Sequence, residues 1–355
     1  MSKVEIKNIK IEEKNYRDKP NAALKKMLDV MKSYDIANAQ ELLPRITWHE
    51  MSFEIIGYTA LANAIRRTLV AEIPVYCISV DRENVETDDA YLIVDLLQKN
   101  IKMLPIEQSI TDKDADKISI SLNFHNSTNR FTQVMAEHLV IKQDGKEINI
   151  IPEPRFPLIA LSSEKYLKIR DARLIRGILD EGADGFTLLD NITYENLDLV
   201  PFDIETGVGQ RSTESNGKHY KIGYRTKGNI EPLQVMRLCC ETIKKQLMYL
   251  REMVIKYRQY VNEEKNAKYY TNPPLEVERG DYFTYKIEGF YYTIANLVAQ
   301  KIYLMDPNIL FCAPSVRNLE TKQMILRLKH AEADSIFFDS IEECITDIDK
   351  VSKFF

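Results

Sequence analysis

Apolar and polar positions along this chain follow two rhythms, period two and period 3.6, and one combination of them occurs twice. Over residues 53–74, FEIIGYTALANAIRRTLVAEIP, a short extended run reaches a turn at Gly57. A helix then starts at about Thr59 and must stop before Pro74, because the residue ahead of a proline is pushed out of the helical region. Residues 285–307, YKIEGFYYTIANLVAQKIYLMDP, repeat the order: alternating run, Gly289, Thr293, an Ala–Asn pair, amphipathic helix, proline. Asn63 lies eleven residues before Pro74, and Asn296 eleven before Pro307. The glycine-to-asparagine spacing is six in the first copy and seven in the second. The pattern predicts two diverged copies of one strand–helix unit in a single chain.

The first predicted helix, residues 59–72, has two faces. Leu61, Ile65 and Leu69 step by four and form the stripe that faces a core. Asn63, Arg66, Arg67 and Val70 follow an i, i+3, i+4, i+7 spacing and form a second, largely polar stripe. Adjacent arginines on a helix read either as a solvated face or as a docking face, where a guanidinium makes several directed hydrogen bonds while its stem packs. In the second copy Ile294, Leu297, Val298, Ile302 and Met305 form the apolar stripe, and Ala299 and Gln300 stand where the first copy has its arginines.

Between and after the copies the rhythm predicts further elements. Residues 1–44 are charged and weakly patterned, with a short helix over 21–34, and read as an N-terminal extension. Residues 46–56 read as strand, and 90–104 as a helix ending before Pro105. Residues 111–200 hold short β-like runs at 118–124, 138–142, 148–151, 158–161 and 166–173, divided by turn signals such as Asp144-Gly145, and read as a mostly β insertion. Residues 201–217 are turn-rich, and 219–224 alternate like a strand. From Pro232 a long helix follows, with Val235, Cys239, Ile243, Leu247, Leu250 and Val254 stepping by four and three. About 30 residues of it would make a rod of roughly 45 Å. Residues 262–281, with Pro273-Pro274, read as a linker. Strands are expected at 309–314 and 323–329, then a helix from about Ser335 whose Phe337, Ile341, Cys344, Ile348, Val351 and Phe355 form a seam for another helix.

The expected fold is therefore α+β. Residues 46–110 and 201–261 make a first, discontinuous unit, 111–200 an insertion, 262–281 a linker and 282–355 a second unit. Two related units in one chain suggest a pseudo-dimer, packed through Leu61, Ile65, Leu69, Ile294, Leu297, Val298, Ile302, Ile341 and Ile348.

Composition narrows the function more by exclusion than by suggestion. Hydrophobic residues make up 45% and charged ones 28% of the 355 residues, an ordinary globular balance. No apolar run nears the roughly 18 residues a membrane span needs. The segment MSKVEIKNIKIEEKN has no apolar core or cleavage site, so no signal peptide is expected. The net charge of −5 argues against nucleic acid as the main partner. The five cysteines, Cys77, Cys239, Cys240, Cys312 and Cys344, contain no CxxC pair and fit buried free thiols in a reducing compartment. Asp112, Asp114 and Asp116 imitate the start of a calcium loop, but Lys117 and Asn123 stand where glycine and the closing glutamate belong, so an exposed acidic turn is expected. Gly207 and Gly209 lack the rest of a phosphate loop, and the five histidines show no zinc spacing. No catalytic residue, metal site or cofactor is predicted.

The stretch LANAIRRTLVAEIP resembles the N-A-L-R-R-x-L-L…P helix of the large α-like assembly subunits of DNA-dependent RNA polymerases, the bacterial α subunit and the third-largest subunit of polymerase II. Residues 90–106 resemble that family's acidic helix ending in an I-P-I/L turn, here Leu104-Pro105-Ile106, with Asn100 and Lys102 in place of the family's Arg and Gly. Residues 158–177 look like its insertion-domain strand pair. The second copy is similar to the small α-like partner subunit. Its T-L-G-N-L-L helix reads Thr293-Ile294-Ala295-Asn296-Leu297-Val298 here, with Ala295 replacing the glycine, and its P-x-V-x-F-A reads Pro307-Asn308-Ile309-Leu310-Phe311-Cys312.

The resemblance covers residues 46–355, and the fused arrangement looks like that of large cytoplasmic DNA viruses. It implies a non-catalytic scaffold that docks the largest and second-largest polymerase subunits together with other small subunits, and meets DNA and RNA only through the complex. It places Asn63, Arg66 and Arg67, with Val70 beside them, on the face toward the second-largest subunit. The expected location is the virion and host cytoplasm for a viral chain, otherwise the nucleus, with no membrane partner. The insertion-domain metal centre of many cellular relatives is not expected, because no cysteine lies between Cys77 and Cys239. The competing classes are a stand-alone enzyme and a DNA-binding regulator built as a covalent pseudo-dimer.

Overall fold

The computed structural model describes residues 4–15, 22–33, 47–108, 110, 112–179, 187–198, 219–226, 230–263, 275–290, 292–316 and 323–355. In chain order the elements are β1 (Glu5–Asn15), α1 (Ala22–Ser33), β2 (Thr47–Ile56), α2 (Thr59–Arg67), β3 (Val75–Val80), β4 (Val85–Thr87), α3 (Val94–Lys102), α4 (Asp112–Ala115), β5 (Ile118–His125), β6 (Thr132–Met135), β7 (Leu139–Gln143), β8 (Lys146–Glu147), β9 (Pro157–Leu161), β10 (Tyr166–Gly177), β11 (Leu189–Asn196), β12 (His219–Thr226), α5 (Pro232–Glu263), β13 (Leu275–Arg279), β14 (Phe283–Ile287), α6 (Tyr292–Met305), β15 (Phe311–Val316), β16 (Met324–Lys329) and α7 (Ala333–Ser352). Helix and strand are nearly balanced and the sheets are antiparallel, so the fold is α+β as expected.

The repeat is visible in the topology. One four-stranded sheet runs β1-β2-β12-β11 and another runs β13-β14-β16-β15. Leaving aside the insertion and α1, which lies between β1 and β2, each is built in the same chain order: two strands, a helix, two strands, a helix. α2 and α6 follow the second strand of their sheets, and α5 and α7 follow the fourth. The inner faces alternate as a half-buried sheet requires. Met51, Phe53 and Ile55 of β2 are buried, as are Tyr220, Ile222 and Tyr224 of β12 and Met324, Leu326 and Leu328 of β16. The turn before α6 needs Gly289, whose φ of +87° is left-handed. Gly57, its counterpart, has no such constraint.

The insertion forms a third sheet, β3-β10-β5-β7-β8, with β4 also paired to β10 and a separate β6–β9 pair beside it. Leu97 and Ile101 of α3, with Leu104 beyond it, enter the same core as Ile78, Ile120, Leu167 and Ile169. The second core is larger. It takes both four-stranded sheets with α2, α5, α6 and α7, so the two repeats share one hydrophobic interior. Helix α5, with Pro232 in its first turn, lies along α7. Lys244 reaches Asp349 at 2.6 Å, Arg251 pairs with Glu342, and Arg258 covers the ring of Phe338 at 4.4 Å.

Several expected boundaries move. The proposed extension at 1–45 contains β1, which pairs with β2 from Glu5↔Ile56 to Asn15↔Thr47. Its sequence, EIKNIKIEEKN, hides this because an edge strand has little apolar surface to show. Lysines and a bulge between Lys7 and Lys10, with Asn8 at φ +52°, are what a protected edge carries. β3 and β4, assigned to the first unit, pair instead with β10 of the insertion, whereas β11, assigned to the insertion, pairs with β12 of the first unit. Residues 275–279 of the proposed linker form β13. The run expected as strand at 148–151 is irregular. Residues 199–218, 34–46 and the Pro273-Pro274 pair lie outside the described residues. The edge at β15 is closed locally: the Cys312 N–H donates to the Tyr303 hydroxyl at 2.7 Å, and Pro314, two residues on, has no N–H to offer.

Candidate functional site: the junction of the two repeats

Helix α2 is regular to Arg67 and then widens into one π-helical turn, Thr68–Glu72. Ile73, ahead of Pro74, is extended, with φ −76° and ψ 119°. Leu61, Ile65 and Leu69 are at most 1% exposed. At about 1.5–3 kcal/mol for each such side chain, they fasten the helix to the shared core. Ile294, Leu297, Val298 and Ile302 of α6, and Ile341 and Ile348 of α7, are buried in that same core, so all nine positions singled out for packing meet there. Met305 is the exception in the second stripe and stays exposed at the end of α6.

The polar stripe divides. Asn63, Arg66, Arg67 and Val70 are each half-buried. Arg66 donates from Nε and Nη2 to Asn63 Oδ1, at 3.0 and 2.9 Å, and its guanidinium sits 5.8 Å from the centre of the Tyr194 ring. Tyr194 stacks in turn on Tyr220, centroids 5.5 Å apart, and the Tyr220 hydroxyl lies 2.7 Å from Thr59 Oγ1. Burial, with the neighbouring Tyr220, pushes the Tyr194 phenol up to about 12, and Arg66 opposes that rise. This pile of Asn63, Arg66 and Tyr194 is a prearranged, partly exposed polar and aromatic surface on the first repeat.

Arg67 leaves that surface for the second repeat. Its Nε donates to Thr293 Oγ1 at 3.1 Å. The Thr293 hydroxyl donates onward to Glu72, which is 3% exposed and also accepts from Thr68 Oγ1 at 3.2 Å. The π turn carries Glu72 and Thr68, so the widened segment holds the carboxylate that the network needs. In the other direction, the Ala60 N–H, in the first turn of α2 where no intrahelical acceptor exists, donates to Gln300 Oε1 at 2.6 Å. With Asn63 aligned on Asn296, Ala60 corresponds to Thr293 and Arg67 to Gln300. The two contacts thus join the same pair of aligned positions, with the roles of the two helices exchanged.

Deeper in the junction, Lys301 and Asp347 form a buried ion pair, Nζ to Oδ2 2.6 Å. Glu343 and Lys350 flank it at 3.4 and 3.0 Å. The Lys301 ammonium is 5.6 Å from the centre of the ring of Tyr58, which belongs to the first repeat, and the Tyr58 hydroxyl is 4.0 Å from Cys344 Sγ. Burial first, then the neighbouring Cys344 and Asp347, hold the Tyr58 phenol well above its usual range. Sequence pattern missed this pair, because Lys301 and Asp347 sit among apolar stripe positions of α6 and α7. Its one signal was a lysine directly before Ile302, the single charged residue of α6.

The acidic string is occupied structurally. Asp112 accepts from the Tyr76 hydroxyl and from Arg176, the latter at 3.1 Å, and Asp114 accepts from Gln143 at 3.3 Å. Among the described residues no three His, Cys, Asp or Glu side chains are grouped to hold a metal ion, and no helix is long and apolar enough to cross a membrane. Gly207 and Gly209 lie outside the described residues. The chain matches no protein-family model and no curated protein.

Proposed function

We propose that this chain is a scaffold subunit of a multisubunit DNA-dependent RNA polymerase, two α-like units fused into a covalent pseudo-dimer that gathers the largest and second-largest subunits and lends no catalytic group of its own. The observation that carries the reading is the repeated strand–strand–helix–strand–strand–helix order with one strand order in both sheets, joined through α2 and α6. The Asn63-Arg66-Arg67 and Thr293-Asn296 motifs lie on those two helices. A repeated unit that buries its helices against its own copy suits a part whose work is to present outer surfaces. Asn63, Arg66 and Tyr194 form the best prepared of these, with a guanidinium already oriented by its neighbours. Val70 borders it, and Arg67 contributes by fixing the angle at which α2 meets α6.

The test is affinity purification of the tagged full chain from cells that make it, with identification of what accompanies it. The two large polymerase subunits are expected in the wild-type material and absent with Arg66→Ala. That substitution touches a half-exposed side chain and should change stability by no more than about 0.5–1 kcal/mol. A wild-type chain recovered without polymerase subunits would overturn the reading. Undiminished recovery with Arg66→Ala would remove Arg66 from the docking surface. A viral chain of this kind belongs in the virion and host cytoplasm, a cellular one in the nucleus.

A further inference from the structure

We propose that Gln300 and Thr293 determine which repeat pairs with which: they make the first repeat accept the second and reject another copy of itself. The argument starts from what each position must supply. The Ala60 N–H in the first turn of α2 needs an acceptor, and Gln300 Oε1 provides it at 2.6 Å. Arg67, the residue at the Gln300 position of the first repeat, is a donor only, since a guanidinium has no acceptor. If two first repeats met through α2, each Ala60 N–H would face the other copy's Arg67, donor against donor. Arg67 itself would face alanine where it now meets the Thr293 hydroxyl at 3.1 Å. Glu72, at 3% exposure, would lose the hydrogen bond from Thr293 while keeping that from Thr68. Thr293 and Glu72 are buried and Ala60, Arg67 and Gln300 half-buried, so a mismatched donor here is only partly repaid by water.

The apolar stripes give no such discrimination. Leu61, Ile65 and Leu69 correspond to Ile294, Val298 and Ile302, similar side chains that would pack nearly as well in either combination. Specificity therefore rests on the two polar crossings, one attractive and one that excludes self-pairing. The inference shares with the proposed function the premise that the repeats form a built pair. It requires no polymerase subunit, so failure of the docking reading leaves it standing, and its own failure leaves the docking surface untouched.

The experiment uses the purified full chain, with thermal unfolding and mass by light scattering over a range of concentrations. Gln300→Arg places a guanidinium against the Ala60 N–H, and its melting temperature should fall by roughly 3 °C or more. Adding Ala60→Thr recreates at this crossing the Arg–Thr pair found at the other, and should recover at least half of the loss. Arg67→Gln combined with Gln300→Arg weakens pairing within the chain and gives the first repeat an acceptor for a second copy's Ala60. This double variant should form dimers that neither the wild type nor Gln300→Arg forms. Gln300→Arg with an unchanged melting temperature, no recovery with Ala60→Thr, or equal masses for the double variant and Gln300→Arg would each overturn the proposal.

Discussion

The Lys301 ammonium lies 2.6 Å from the Asp347 carboxylate, in a position where the two residues are 5% and 0% exposed. Two charges removed from water this fully are held chiefly by each other, so removing one leaves the other with only its more exposed flanking partner, Glu343 for Lys301 or Lys350 for Asp347. Asp347→Ala is expected to cost about 3–5 kcal/mol, whereas Lys301→Met with Asp347→Leu should restore most of that loss. Urea unfolding measures both. An Asp347→Ala chain within about 1 kcal/mol of wild type would show that the pair is not a buried charge pair in solution.

Asp89 ties two loops of the insertion core together by accepting the Ser162 N–H at 2.8 Å and the Tyr91 N–H at 3.0 Å. Burial pushes its carboxyl up, but the Ser162 and Tyr91 hydrogen bonds outweigh that, and the net displacement is downward. A folded value below the unfolded one means that the contribution is complete above the ordinary carboxylate value of about 3.9 and fades as pH falls through the folded value. Wild type should therefore lose stability in acid more steeply than Asp89→Asn, measured by unfolding midpoints between neutral pH and about pH 3. Parallel curves would remove Asp89 from the acid response.

All five cysteines are free and buried. Burial pushes the Cys77 thiol up to about 11 and those of Cys240, Cys312 and Cys344 up to about 12, so almost no thiolate exists near neutrality. Native chain treated with a thiol reagent at about pH 8 should label at least 100-fold more slowly than unfolded chain, followed by absorbance. Rapid labelling of any one cysteine in the native state would contradict its placement.

Gly289 and Gly57 open corresponding helices but carry different constraints. A side chain at Gly289 meets open space yet must accept φ +87°, whereas at Gly57 the added carbon would sit 3.5 Å from Leu61, an ordinary contact. Gly289→Ala should destabilise by about 1 kcal/mol or more, and Gly57→Ala by less, because alanine at a permitted φ also lowers the entropy of the unfolded chain. Equal losses in thermal unfolding would show that the turn before α6 is not left-handed.

Much of this architecture was legible in the amino-acid order because the repeat keeps its punctuation. Gly57 and Gly289, Asn63 and Asn296, and Pro74 and Pro307 mark the same joints, and the four-residue steps of Leu61, Ile65 and Leu69 announce the buried face. What escaped was whatever depends on partners distant in sequence. β1 reads as a charged tail until Glu5 is seen opposite Ile56. β3 and β11 sit beside the sequence neighbours of one sheet but hydrogen-bond into another. Arg67 has the same local pattern as Arg66. Only the fold shows that one turns toward Tyr194 and the other toward Thr293.

The interior shared by the two repeats takes side chains from Val4 to Phe355, whose ring meets Phe53 with centroids 5.2 Å apart. During synthesis β1, β2 and α2 leave the ribosome before the insertion core. α5, whose Cys239 thiol meets the Ile65 carbonyl at 3.6 Å, emerges after that, and α6 and its sheet, which complete the cover over α2, emerge last. The insertion can close on itself while translation continues, but the first repeat must hold an uncovered apolar face until the second arrives. Growing chains paused before α6 are therefore the form of this protein most in need of a chaperone.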